Sequence, residues 1–133
     1  MEVSILTPSQ VVIRAEASMV LLPGDDGEIG ILPGHIPLIA NMGPGVIKLY
    51  DGDKKEYETF VHGGFIKFHG ERLSILSDAV SEISALNADK AAKDIERLEE
   101  QILTSGDQEY LNSIFREINI LRKIIEICQE YKK

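Results

Sequence analysis

The 133-residue chain is 44% hydrophobic and 27% charged with a net charge of −8, an ordinary globular composition that excludes disorder along its whole length. By size it should bury about two thirds of the surface its unfolded form exposes, so it can fold without staples. The acidic balance excludes a role built on nucleic-acid phosphates, which needs clustered Lys and Arg, and points to protein partners. The single cysteine, Cys128, cannot close an internal disulfide, and Met1-Glu2-Val3 runs into a strand-like pattern rather than a signal or transit segment. A reducing cytoplasm is therefore the expected compartment. No apolar run approaches the roughly 20 residues that cross a bilayer, so any membrane link is expected to pass through a partner.

From Val3 to about Ile83 the apolar residues come in short bursts separated by Gly, Pro, Asp and Ser: Val3–Leu6, Val11–Ile13, Met19–Leu22, Val46–Tyr50, Tyr57–Val61, Phe65–Phe68 and Leu73–Leu76. Alternation at Ile47-Lys48-Leu49 and Leu73-Ser74-Ile75 gives each strand one dry face and one wet one. Asp51-Gly52-Asp53 and His69-Gly70-Glu71 supply the glycine that a hairpin reversal needs for positive φ. The spacing predicts a sandwich or barrel of about ten antiparallel strands.

After Ile83 the period changes. Ala88, Ala91, Ile95, Leu98 and Ile102 fall on one helical stripe, with Asn87 as N-cap and Asp89 in the first turn, where the helix dipole favours a negative charge. Ser105-Gly106-Asp107 should stop this helix with a glycine and cap the next with Asp107. The second helix carries a matching stripe, Leu111, Ile114, Ile118, Leu121, Ile125 and Cys128, which suits antiparallel packing against the first. It also carries Ile120, Ile124, Ile127 and Tyr131 on a neighbouring face that one partner helix cannot cover. That face should rest on the strand domain or on another protein. The expected division is a strand domain over 1–85 and a helical hairpin over 86–133. The first holds six basic against twelve acidic residues, net −6, and the second eight against ten, net −2. Arg97, Arg116, Arg122 and Lys123 could face an acidic partner or simply solvent.

No catalytic constellation is evident. His35, His62 and His69 stand in no metal-ligand spacing, and the Gly-rich stretches at Gly24–Gly34, Gly43–Gly45 and Gly63-Gly64 match neither GxxxxGK[ST] nor GxGxxG. Asp25, Asp26 and Glu28 miss the spacing of an EF-hand and read as an acidic hairpin tip. No metal, cofactor or catalytic residue is expected. The rival reading is a free-standing ligand-binding or enzymatic β-sandwich with a helical dimerisation tail, in which the histidines and Cys128 would have to matter.

The distinctive segment is Leu22-Pro23-Gly24-Asp25-Asp26-Gly27-Glu28-Ile29-Gly30-Ile31-Leu32-Pro33-Gly34-His35-Ile36-Pro37-Leu38. Prolines and glycines fix its backbone while apolar residues remain between them, which describes a rigid, shaped surface suited to docking. It resembles the signature of the ATP synthase epsilon subunit family, LPGxxGExGILPGHxPL, at every fixed position. Pro44-Gly45-Val46, Gly63-Gly64-Phe65, Leu76-Ser77-Asp78 (where the family usually has Leu-Ala-Asp) and the two-helix tail extend the resemblance over essentially the whole chain.

The resemblance implies an α+β chain with segregated parts, a ten-stranded antiparallel β-sandwich followed by a two-helix hairpin. It also implies a non-catalytic rotor subunit of a bacterial F-type ATP synthase, peripheral on the cytoplasmic face of the inner membrane. The sandwich would grip the gamma subunit and rest on the c-ring, through a turn at Glu28, Ile29 and Gly30 and the following Pro33, Gly34 and His35. The tail would fold down or extend along gamma into the alpha/beta catalytic head and restrain ATP hydrolysis, with Ser105, Gly106 and Asp107 as the hinge. Both helices end to end would reach about 60 Å at 1.5 Å per residue. Some bacterial relatives bind ATP through I/L-D-x-x-R-A. This chain reads Leu86-Asn87-Ala88-Asp89-Lys90-Ala91, with Arg97 further on. Asn87 loses the aspartate's charge and Lys90 cannot reproduce the two-pronged bonding of arginine, which weighs against a nucleotide site at Asn87, Lys90 and Arg97.

Overall fold

The computed structural model describes residues 1–131, which form two compact units meeting between Glu82 and Ile83. The first unit contains eight strands: β1 Glu2–Thr7, β2 Gln10–Glu16, β3 Met19–Gly24, β4 Gly27–Ile31, β5 Leu38–Asp51, β6 Lys54–His69, β7 Arg72–Leu76 and β8 Val80–Ser81. They join in the order β2-β1-β7-β6-β5-β3-β4, with β8 on β6.

Two strands carry the architecture. β5 and β6 are 14 and 16 residues long and pair antiparallel along their length, joined by a tight turn at Gly52-Asp53 where Gly52 has φ +63°. Midway, Met42-Gly43-Pro44 lies opposite His62-Gly63-Gly64, and the pair bends there. Leu38–Met42 and Phe65–His69 then belong with β7, β1 and β2, whereas Lys48–Tyr50 and the first half of β6 belong with β3, β4 and β8. The two sets face each other across one core, to which Val3, Ile5, Ile66, Phe68 and Ile75 come from one side and Val20, Leu22, Ile31 and Leu49 from the other. The result is a β-sandwich whose layers share two strands.

This corrects the expected count. Gly and Pro in mid-strand act as bends rather than breaks, so two segments expected as separate strands are halves of β6, and the structure holds eight strands rather than ten. The expectation of an entirely antiparallel arrangement is corrected too, because β1 pairs with β7 in parallel from Glu2↔Arg72 to Leu6↔Leu76. A parallel pair needs a long return connection, and the intervening strands β2 to β6 provide it without a crossover helix.

A 3₁₀ turn, Ile83–Ala85, opens the second unit, followed by α1, Ala88–Ile102, and α2, Gln108–Tyr131. Asn87 accepts the Lys90 N–H at 3.0 Å, the expected N-cap. Asp107 caps α2 by accepting the N–H groups of Glu109 and Tyr110 at 3.0 and 3.5 Å. The end of α1 differs from expectation. It closes before the glycine, on Thr104, whose N–H and hydroxyl both donate to the Gln101 carbonyl, and Gly106 is not among the positive-φ glycines. Ile95 and Leu98 pack against Ile114 and Ile118 along the shared stripe, flanked by Ile102, Leu121 and Ile125.

Gly64 tests the bend. Its φ is +137°, and a Cβ there would overlap the Leu76 carbonyl oxygen of the neighbouring strand. Gly64→Ala should cost roughly 3 kcal/mol or more in urea unfolding. Gly30→Ala, where a Cβ would meet only Leu21 Cδ2 at 3.5 Å, should be neutral or stabilise by up to about 1 kcal/mol. Asn87→Ala should cost about 1 kcal/mol through loss of the cap. Beside the bend, burial lowers the pKa of His62 from its ordinary 6.5, only partly opposed by the Asp78 carboxylate. The fold therefore prefers neutral His62. Its stability should be complete above pH 6.5 and decline as pH falls below that value and the unfolded chain takes up the proton first. Urea unfolding across pH 5–8 should show that decline in the native chain and a shallower one in His62→Asn.

Candidate docking surface

Pairing of apolar residues across strands builds an outer face on one layer of the sandwich. Asn41 on β5 lies opposite Phe65 on β6, Phe65 opposite Leu76 on β7, Leu76 opposite Leu6 on β1, and Leu6 opposite Val11 on β2. Strand alternation turns Ile66 and Ile75 into the core, so Phe65 and Leu76 must point the other way. Phe65 and Val11 are each 47% exposed, and Ile39, two residues before Asn41 on the same face, is 74% exposed. A row that is apolar across four adjacent strands and still open to solvent is unusual on an isolated chain. Its centre is hollow. Leu6, Thr7, Pro8, Gly64, Phe65 and Leu76 line a depression of about 380 Å³ together with Ser77 and Asp78. The missing side chain at Gly64 thus serves both the bend and the hollow.

The Gly/Pro-rich segment adds a second patch. Leu32-Pro33-Gly34-His35 is a β-turn closed by the His35 N–H donating to the Leu32 carbonyl at 3.1 Å. Pro33 occupies its second position and Gly34, at φ +86°, its third, the arrangement of a type II turn. The His35 ring packs edge-on against Phe68 with centroids 5.9 Å apart. Inward anchoring of His35 leaves Leu32, at 54%, and Ile36, at 74%, facing solvent.

The sequence-derived contact residues divide between two settings. Glu28, Ile29 and Gly30, expected in a turn, lie within β4 instead. β3 supplies partners to all three, Pro23, Leu22 and Leu21 respectively, and the turn falls earlier, between Gly24 and Gly27. Glu28 and Gly30 are exposed while Ile29 is half-buried against the core. Pro33, Gly34 and His35 form the turn just described. Apolar bursts read as core hid the outer row from sequence reasoning. Its signal was available in Leu6 and Leu76, which continue an apolar run on the face where a solvated strand would place a polar residue.

In the helical unit, Asn87 is occupied as a cap, and Arg97 lies 3.7 Å from Asp94. A depression of about 380 Å³ is lined by Leu86, Asn87, Ala88, Asp89, Cys128 and Gln129, so its carboxylate at Asp89 opposes an anionic ligand. Ser105 and Asp107 spend their side chains on local bonds, Ser105 Oγ accepting the Asp107 N–H at 3.3 Å. The Tyr110 hydroxyl spans the connection by donating to Gln101 Oε1 at 2.7 Å. Among the described residues no group of three or more His, Cys, Asp or Glu is arranged to hold a metal ion, and no helix is long and apolar enough to cross a membrane.

Solved structures of similar fold include a chain of the Euglena gracilis mitochondrial ATP synthase, with a TM-score of 0.75 at 19% identity over 92% of this chain and 77% of that one. A chain of the central stalk and c-ring assembly of the Tetrahymena thermophila mitochondrial ATP synthase aligns with a TM-score of 0.63 at 12% identity, covering 93% and 95%. Among sequences, the ATP synthase epsilon chain of Bordetella avium is 32% identical over 121 residues, 91% of this chain and 86% of its own. That of Maricaulis maris is 30% identical over 79% of this chain and 78% of its own. Residues 1–83 match the family described as ATP synthase, Delta/Epsilon chain, beta-sandwich domain. With that match across the whole strand unit and with relatives of this similarity, the chain belongs to the ATP synthase delta/epsilon chain family.

Proposed function

We propose that this chain is a non-catalytic central-stalk subunit of a proton-translocating F-type ATP synthase, coupling the catalytic head to the c-ring. The observation that carries the proposal is the outer apolar row Phe65, Leu76, Leu6 and Val11, a rigid sheet face with a hollow at its centre. Such a face suits an apolar side chain of a partner protein far better than a small polar substrate. In this reading residues 1–85 dock on the gamma subunit through the row, and the chain meets the c-ring through Glu28, Ile29, Gly30 and the turn Pro33, Gly34 and His35. Membrane association then comes only through the complex, on the cytoplasmic face of a bacterial inner membrane.

Residues 86–133 act as a regulatory tail. Support lies in the composition of α2, which carries a second apolar stripe, Ile120, Ile124, Ile127 and Tyr131, beside the one that meets α1, with Ile127 buried and the other three half-buried. A helix with two apolar stripes has two packings open to it, folded down or extended into the alpha/beta head, and the break at Ser105, Gly106 and Asp107 is the hinge between them. The extended form restrains ATP hydrolysis. Nucleotide sensing is not part of this reading, because Asn87 is spent as a cap and the Asp89 carboxylate lines the depression beside it.

Binding of the purified chain to the matching gamma subunit, followed by ATPase assays of the catalytic head, tests both parts. Phe65→Glu should weaken binding at least tenfold, about 1.4 kcal/mol, and removal of residues 86–133 should raise hydrolysis without weakening binding. Unchanged binding by Phe65→Glu would sink the docking face. Unchanged hydrolysis on truncation would leave a coupling role and remove the regulatory one.

A further inference from the structure

The turn between β6 and β7 is made of two residues, Gly70 and Glu71, since His69 and Arg72 already pair across the strands. Both have positive φ, +60° and +62°, as a type I′ hairpin turn requires. Glycine suits the first position. The second usually holds glycine as well, and among the described residues Glu71 is the only non-glycine with positive φ. A long side chain held in that conformation calls for a compensating contact.

Glu71 makes such a contact. Glu71 Oε1 accepts the Gly34 N–H at 2.8 Å, joining two segments 37 residues apart in sequence. The carbonyl of Glu71 also accepts the Glu2 N–H at 3.0 Å, which fixes the hairpin to β1 and gives the carboxylate a firm base. The donor is informative. In a β-turn with Pro second and Gly third, the peptide between them can point either way, and its flip separates type I from type II. Gly34 N is the amide of that peptide, and the turn's own closing bond, from His35 N to the Leu32 carbonyl, leaves it unused. A carboxylate placed to receive it holds the type II form, the form in which Leu32 and Ile36 face solvent. Bonds from an amide to an ionised acceptor are among the stronger ones.

We infer that Glu71 is a positioning residue for the docking surface: it locks the Pro33-Gly34 peptide and so fixes how the Leu32–Ile36 turn is presented to a partner. The inference rests on the docking role proposed above for this turn, and it adds a residue from the opposite hairpin that touches no partner itself.

Three full-length variants test it: Glu71→Gln keeps an acceptor, Glu71→Ala removes it, and Glu71→Gly removes it while relieving the positive-φ strain. Amide hydrogen exchange at Gly34 should quicken roughly tenfold in the Ala and Gly variants and stay within about twofold of native in the Gln variant. Glu71→Gly should unfold at equal or higher urea concentration than the native chain, which separates positioning from stability. Binding of these variants to the gamma subunit assembled with its c-ring should weaken severalfold for Ala and Gly, with substantial recovery for Gln. Unchanged Gly34 exchange in the Ala and Gly variants overturns the inference. Faster exchange with native affinity overturns it too, since the turn's presentation would then not matter to binding. Failure of the native chain to bind is a different result and overturns the docking reading itself.

Discussion

The strand unit depends on one bend. At roughly 3.4 Å per residue a straight 16-residue strand would run more than 50 Å, far longer than so small a domain can cover on both faces. β5 and β6 therefore fold over as a pair, and the fold-over needs backbone without side chains on the inside of the curve. Gly64 supplies it, since the Leu76 carbonyl occupies the space where its Cβ would sit, and beside it Gly63, at φ +100°, holds a conformation that favours glycine. Because the strands bend together, their antiparallel register continues through the curve, from Met42↔Gly64 to Pro44↔His62. One local hairpin thereby contributes to both walls of the core. The remaining strands are additions to its edges, β7, β1 and β2 on one half and β3, β4 and β8 on the other.

This explains which parts of the fold were legible in the sequence. The change from period two to period 3.6 after Ile83 is written residue by residue, since alternation and helical stripes are local consequences of burying one face. Helix starts were legible for the same reason: Asn87 and Asp107 cap through bonds to amides two and three residues away. Strand number was not. Glycine in mid-strand and glycine in a turn look alike in sequence, and only pairing with β5 decides that Gly63-Gly64 continues β6. β4 was hidden in the same way. Glu28-Ile29-Gly30-Ile31 alternates correctly, but its surroundings are those of turns, and it becomes a strand because β3 lies beside it. The parallel β1–β7 register has no local signature at all, being a contact between segments about 70 residues apart.

Legibility of the docking surface follows the same division. Pro33-Gly34 announces a type II turn because proline and glycine each set one φ, and the turn is there. Glu71 could not be anticipated as its anchor, because nothing local links a hairpin tip to an amide 37 residues earlier. The outer row was obscured by the strength of the core signal. In Phe65-Ile66-Lys67-Phe68 the burst reads as buried, yet Ile66 and Phe68 alone face inward. Apolar residues on both faces of neighbouring strands are the sequence mark of a sheet with a second partner, and here only the register aligns them into one row.

The two units differ in how firmly they can present a surface, and the difference bears on what each can do. The docking row sits on paired strands, and the adjoining turn is fixed by proline, by a closed hydrogen bond and by Glu71, so little freedom is left to lose when a partner arrives. The helical unit rests on a smaller set of contacts: its shared stripe buries Ile95, Leu98, Ile114 and Ile118, and its connection is held by surface bonds such as Tyr110 to Gln101. Helices of this length derive most of their stability from tertiary packing rather than from their own hydrogen bonds. Whatever covers the second stripe of α2 therefore weighs heavily in the balance between its arrangements. A rigid sheet face and a helical pair with a small shared core are the two mechanical properties that the proposed coupling subunit with a movable tail requires.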